Sequence, residues 1–257
     1  AMWQRKGLIS TLLLPLSWVV RLAIAQKRKR YRQSNRPPET IPVVVVGNLV
    51  VGGTGKTPVV IALVEALQSR GWQPGVISRG YGVQLGEQAR AGQGQLDPRQ
   101  FGDEPALIAQ ATGTPLAVHP RRVLALRQLR QMYPRVDVVI ADDGLQHLAL
   151  ERDIEIVVQD ARGLGNGRVL PAGPLREPAD KLASVDFLIT NLTADQTVPP
   201  QLPLRAKQLV MRLSPVTMTH LTSGISIDWV EWYARHANAP TSAVAAIGQP
   251  ERFFSML

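Results

Sequence analysis

A continuous β-branched run at residues 42–46 (PVVVV) opens directly onto GNLVVGGTGKTP at residues 47–58, and this junction limits the fold more than any other stretch. An unbroken apolar run of this kind belongs to a strand buried on both faces, as in a parallel sheet covered by helices. Strand, glycine-rich turn and helix in that order aim backbone N–H groups and a helix dipole at one point, which is an anion-binding geometry. Within it Gly52, Gly53, Thr54 and Gly55 would wrap phosphate oxygens. Lys56 would reach the β- and γ-phosphates of a nucleoside triphosphate, and Thr57 would offer its hydroxyl to Mg²⁺. The spacing departs from the strict G-x-x-x-x-G-K-[ST] pattern, because Val50 stands where its first glycine belongs.

Further apolar runs at residues 74–78, 115–118, 136–141, 154–159, 187–190 and 243–247 predict strands, and residues 57–70, 104–111 and 121–132 predict helices between them. This alternation implies an α/β fold of the P-loop nucleoside triphosphate hydrolase kind, with a mostly parallel, doubly wound sheet. A chain of 257 residues holds one large or two modest domains. Three regions are expected: an N-terminal interfacial helix and basic segment at 1–36, a P-loop core at 37–192, and the start of a C-terminal lobe at 193–257. The Pro/Thr-rich stretch 193–203 marks the last boundary, and residues 36–39 (RPPE) read as a stiff connector. The absence of cysteine excludes a disulfide framework, a thiolate metal site and a cysteine nucleophile.

Charge is unevenly spread. Residues 1–40 carry nine Lys/Arg against one acid, whereas residues 41–257 carry twenty against nineteen, so +8 of the net +9 belongs to the N-terminus. A nucleic-acid-binding domain carries its basic excess on the folded body, and this body is balanced. Residues 7–20 (GLISTLLLPLSWVV) hold no charge but fall short of the ~20 apolar residues that a bilayer-spanning helix needs. The run is followed by Gln26-Lys27-Arg28-Lys29-Arg30 rather than a small-residue cleavage site, which argues against a signal peptide. It reads instead as an interfacial helix. Leu12, Leu13, Leu16, Val20 and Ala23 or Ile24 share its apolar face, Trp3 and Trp18 suit the headgroup level, and the basic cluster adds ~1 kcal/mol per Lys/Arg at an anionic surface.

Ligands of an open α/β sheet bind beyond the carboxyl ends of its strands. Asp142 and Asp143, at the end of the strand predicted over 136–141, would therefore face the same crevice as Lys56 and organise Mg²⁺ there. SRGYG ends another strand, placing Arg79 to hold phosphate and Tyr81 to stack or hydrogen-bond. In Gly102-Asp103-Glu104-Pro105, Asp103 reads first as a helix N-cap. Its second reading is a carboxylate that accepts a hydroxyl proton during phosphoryl transfer. Arg122, His147 and Arg176 stand in the loops that follow. Taken singly, such arginines are commonly solvated surface charges and such a histidine is commonly structural.

Taken together, these segments resemble the tetraacyldisaccharide 4′-kinases, the lipid A 4′-kinases of Gram-negative bacteria. The resemblance rests on VVGNLVVGGTGKTP, SRGYG, GDEP, DDGLQH, RDIEIVV, GNGRVLPAGPLREP and IGQPERFF, in order over essentially the whole chain. The family's phosphate loop departs from the strict pattern as Val50 does. The resemblance implies transfer of the ATP γ-phosphate to the 4′-hydroxyl of a tetraacylated glucosamine disaccharide 1-phosphate, with Mg²⁺. It implies a peripheral or monotopic enzyme at the cytoplasmic face of the inner membrane, on an anionic lipid surface, with neither nucleic acid nor an obligate protein partner.

Carried over by motif, Lys56 and Thr57 serve ATP and Mg²⁺, Asp142 and Asp143 serve the metal and catalysis, and Asp103 is the base. Arg79, Tyr81, Glu104, Arg122, His147 and Arg176 fall in the substrate or active-site region. The resemblance also implies further chain beyond the PERFF helix, bearing an Asp–His pair that supports the catalytic aspartate. On that expectation this chain is a fragment that binds ATP and transfers phosphate poorly. The competing expectation is a deviant P-loop ATPase or GTPase switch at the membrane surface, although Val51 stands where such proteins often carry a lysine.

Overall fold

The computed structural model describes residues 3–32, 41–237, 239–245 and 250–254. The connector predicted at 36–39 lies outside them. Helices α1 (Leu8–Leu12) and α2 (Leu14–Arg32) precede β1 (Val43–Gly47), α3 (Lys56–Gln68), β2 (Pro74–Ser78), β3 (Arg90–Gly92), α4 (Pro98–Phe101) and α5 (Asp103–Thr112). Next come β4 (Leu116–Val118), α6 (Arg122–Met132), β5 (Val138–Asp142), β6 (Ile154–Asp160), a 3₁₀ turn at Ala179–Ser184 and β7 (Phe187–Leu192). The chain continues through β8 (Lys207–Arg212), β9 (Thr217–Thr219), β10 (Ser226–Asp228), α7 (Trp229–His236) and α8 (Pro250–Phe254).

Eight strands form one sheet in the order β3-β4-β2-β5-β1-β6-β7-β8, parallel throughout except for β3, which runs antiparallel to β4 at the edge. The β-branched run of β1 lies at its centre, every residue buried. Alternate side chains serve opposite layers. Val43 and Val45 pack with Leu126 and Leu129 of α6, with Val20 and Ile24 of α2 against the same cluster. Val44 and Val46 pack with Val59, Val60 and Val64 of α3 and Ile108 of α5. That two-sided burial is why the run shows no polar alternation.

The strand predicted at 243–247 does not form over its described part: residues 243–245 are irregular, and 246–247 lie outside the described residues. Strand β8 supplies the far edge instead, and its residues are mostly exposed, so no buried apolar run announces it. The stretch 193–203 leads from β7 into β8, which pairs in parallel with β7 over Phe187–Leu192. Strands β9 and β10 form a separate antiparallel pair.

The N-terminal helices dock on the sheet layer by an unexpected face. Ser10 and Ser17, seven residues apart, are buried, and their hydroxyls donate to the carbonyls of Ala172 (2.5 Å) and Val169 (2.8 Å). Val20 and Ile24 continue that stripe inward. Leu8, Ile9, Leu12, Leu16, Trp18, Val19 and Leu22 are exposed, Leu12 to 78%. The single apolar face expected from the sequence is thus divided, because buried serines that satisfy loop carbonyls outweigh the leucines in choosing the docked side. Trp3 also points inward, its indole N–H donating to Pro171 O at 3.1 Å. No described helix is long and apolar enough to cross a membrane.

Candidate active site

The turn after β1 is held from three sides. Gly52 and Gly55 have φ of 95° and 89°, in the left-handed region where glycine costs least. Gly55 is also the N-cap of α3, and a β-carbon there would collide with the carboxamide of Asn191, whose Nδ2 donates to Thr54 O at 3.1 Å. Asn48, fully buried, donates from Nδ2 to Val50 O (2.7 Å) and Gly52 O (3.1 Å) and accepts from Lys56 Nζ at 3.3 Å. The segment 174–176 runs alongside: Val50 bridges Leu175, Val51 N–H donates to Pro174 O, and Arg176 N–H donates to Leu49 O at 2.6 Å. Val50 is buried in this bridge, so the missing glycine of the loop pattern is replaced by a packing residue.

The paired aspartates follow from register. Strand β5 lies beside β1 with Asp142 opposite Val46, which puts both carboxylates at the same sheet end as the loop. Asp142 is 1% exposed. One oxygen accepts from Ser78 Oγ at 2.9 Å, and Oδ1 has no partner among the described residues. Burial raises its pKa to about 6, against the pull of Lys56 and the Ser78 hydrogen bond. Asp143, at φ 48°, turns toward Arg176 (3.0 and 3.1 Å) and Lys56 (3.5 Å). Burial works to raise its pKa, but Lys56, Arg176 and Arg122 together outweigh it and hold the group below the usual carboxylate range.

These residues border a cleft of about 580 Å³. It gathers Gly52, Gly53, Lys56, Arg79, Tyr81, Asp103, Glu104, Asp142, Asp143, His147 and Arg176 of the predicted set. Thr54, Gly55 and Thr57 belong to the loop and the first turn of α3 beside it. Arg122 lies elsewhere: buried beneath the cleft, it donates to the carbonyls of His119 (3.0 Å), Asp142 (3.2 Å) and Asp143 (3.4 Å). It props the aspartate turn, and desolvation lowers its pKa to about 10. Gly102, not Asp103, occupies the N-cap of α5, so the Asp103 carboxylate is not spent on capping and faces the cleft from the first helical turn. Burial, then Arg122 and Lys27, lower the His147 pKa to about 4, leaving the ring uncharged near neutrality.

Sequence reasoning did not single out Asn48, Ser78, Gln146 or Glu177. A signal existed for two of them: Asn48 and Ser78 are the polar residues that end or follow buried strands at the level of the loop. Gln146 donates to Asn48 O (3.3 Å) and to Glu177 (3.1 Å), contacts that only tertiary structure creates. Among the described residues no group of three or more His, Asp or Glu is arranged to hold a metal.

Comparison with known proteins agrees with this geometry. A family model described as Tetraacyldisaccharide-1-P 4′-kinase matches residues 9–257. The Tetraacyldisaccharide 4′-kinase of Bordetella petrii is 54% identical over 263 residues, covering 99% of this chain and 73% of the relative. That of Ectopseudomonas mendocina is 43% identical, covering 99% and 74%. A crystal structure of LpxK from Aquifex aeolicus in complex with ATP superposes with a TM-score of 0.67 at 27% identity, over 78% of this chain and 64% of that one. With the phosphate loop, the aspartate pair and the cleft in place, the chain belongs to the tetraacyldisaccharide-1-phosphate 4′-kinase family.

Proposed function

We propose that the cleft transfers the γ-phosphate of ATP to the 4′-hydroxyl of a tetraacylated disaccharide 1-phosphate, the reaction for which the family is named. The observation that carries this reading is the convergence of Lys56, the Asp142–Asp143 pair and Asp103 on one cleft from three separate segments. Lys56, held by Asn48 and Asp143 at the edge of the cleft, would meet the terminal phosphate. Asp103 accepts the proton of the sugar hydroxyl as that oxygen attacks the γ-phosphorus, and the bond to the departing ADP oxygen breaks. Arg79 and Arg176 border the same space and favour the negative charge carried by phosphates.

The buried, unpartnered Oδ1 of Asp142 fits a divalent cation. Asp142 and Thr57 would hold Mg²⁺, with Asp143 beside them. When bound, the cation would supply neutralisation of the phosphate charge. The protein's own part is to exclude water from the Asp142 carboxylate and to keep Lys56 and Arg176 fixed around Asp143.

The exposed apolar stripe of α1 and α2, with Trp18 among it, supports docking at the cytoplasmic surface of the inner membrane, where an acylated substrate resides. In this reading residues 1–36 act as the interfacial segment and 37–192 as the catalytic core, while the C-terminal segment 193–257 contributes β8 to the core sheet before it leaves that sheet. Incubation with γ-labelled ATP and either the lipid disaccharide or buffer tests the proposal. Label in the lipid supports it; acceptor-independent release of phosphate at the same rate would favour a nucleotide switch.

A further inference from the structure

The cleft is wired to the docked helix. Arg28 of α2 donates from Nη2 to Glu177 Oε2 at 2.8 Å, and the Glu177 side chain is only 5% exposed. The other oxygen, Oε1, accepts from Gln146 Nε2 at 3.1 Å. The same Gln146 nitrogen donates to the backbone carbonyl of Asn48, and Asn48 clasps Val50, Gly52 and Lys56. Lys27, the neighbour of Arg28, donates to Gln146 O at 3.1 Å. Two members of the basic cluster, expected from the sequence to face lipid, thus turn inward.

We propose that Glu177 is a positioning residue through which the seated helix α2 sets the phosphate loop. A buried carboxylate with two directional donors fixes both of them. Arg28 anchors one oxygen from the helix, so the other oxygen holds Gln146 at a defined height. Gln146 in turn fixes Asn48 O and thereby the carboxamide that orients Lys56. The backbone of residue 176, immediately before Glu177, is hydrogen-bonded to Leu49 at the start of the same loop, so Glu177 cannot shift without moving it. The inference rests on the phosphate-loop reading above. It gives the N-terminal helix a second task, holding the nucleotide site in its binding shape.

The test is the affinity of the intact chain for Mg²⁺-ATP, measured by titration calorimetry for the parent, Arg28→Ala, Glu177→Gln and the double variant. Glu177→Gln keeps shape and volume but presents a donor where Arg28 or Gln146 also donates. Each single variant binds ATP roughly fivefold to tenfold more weakly. The double variant is no weaker than Glu177→Gln alone, because both act on one chain of contacts, and Arg28→Lys recovers part of the loss. A purely structural ion pair lowers the melting temperature without moving the ATP affinity of the folded protein, and that result overturns the proposal. Additive losses in the double variant overturn it as well. A parent that fails to bind ATP overturns the phosphate-loop reading too, whereas variants that match a binding parent overturn this inference alone. Arg28 lies on the outer helix, so Arg28→Ala keeps the test available if Glu177→Gln does not fold.

Discussion

Asp142→Asn should make the nucleotide-free protein more stable while removing its activity. The carboxyl is buried, and its pKa stands at about 6 against an ordinary 3.8. The folded state therefore binds this proton more tightly than the unfolded state. Below pH 4 both states are protonated and nothing is lost. As pH rises through 6 the folded protein must ionise a group that it keeps out of water, and stability falls. The difference is about two pH units, or about 3 kcal/mol at ~1.36 kcal/mol per unit.

Asparagine has no charge to bury and keeps a carbonyl for Ser78. At pH 8 the variant should melt roughly 5–10 °C higher than the parent without nucleotide, and at about pH 3, below both pKa values, the two should nearly coincide. The assay is thermal unfolding followed by circular dichroism across that pH range, beside a labelled-ATP transfer assay. A variant that is equally or less stable at pH 8 would refute the argument that Asp142 is held ready, at a cost to the fold, for a positive ligand. The same linkage predicts that Mg²⁺-ATP affinity declines as pH drops below about 6, because a proton then competes for the carboxylate. His147, uncharged down to about pH 4, does not produce that decline.

Three further outcomes are expected. Asp103→Ala should reduce turnover at least a hundredfold, the scale of general-base loss, with ATP affinity within about twofold by calorimetry; lost ATP binding would place Asp103 on the nucleotide. Gly55→Ala forces a left-handed backbone onto alanine at about 1–2 kcal/mol and drives the new methyl into Asn191, so ATP binding should fail while the circular dichroism spectrum is kept. Leu12→Ser with Leu16→Ser and Trp18→Ser should weaken co-sedimentation with anionic vesicles at least tenfold, since each side chain is worth about 1.5–3 kcal/mol when buried; unchanged partitioning would refute the interfacial role of that stripe.

Residues 42–58 were legible in the sequence because local rules and tertiary role coincide there. A strand buried on both faces must be apolar throughout, and a backbone that cradles phosphate must be glycine-rich. Asp142 and Asp143 were legible for a related reason, since a strand end in a parallel sheet has only one functional side. Strand β8 was not, because its side chains are largely exposed and an edge strand needs no continuous apolar run. Arg122 was grouped with the active-site region without a defined role: from sequence a buried arginine that satisfies three carbonyls looks the same as one on the surface.

The N-terminal helix shows where sequence periodicity stops being informative. This helix carries apolar residues on both its docked and its exposed side, so its hydrophobic pattern does not say which side is which. What distinguishes them is the polar residue that finds a fixed partner. A hydroxyl on the exposed side has no fixed partner to choose, whereas Ser10 and Ser17 on the docked side satisfy carbonyls that would otherwise be buried and unpaired. The same logic separates Lys27 and Arg28, which meet Gln146 O and Glu177, from Lys29 and Arg30, for which no such partner is seen among the described residues. Helix orientation in this chain is therefore decided by its few polar contacts, and those contacts are the ones that lead to the phosphate loop.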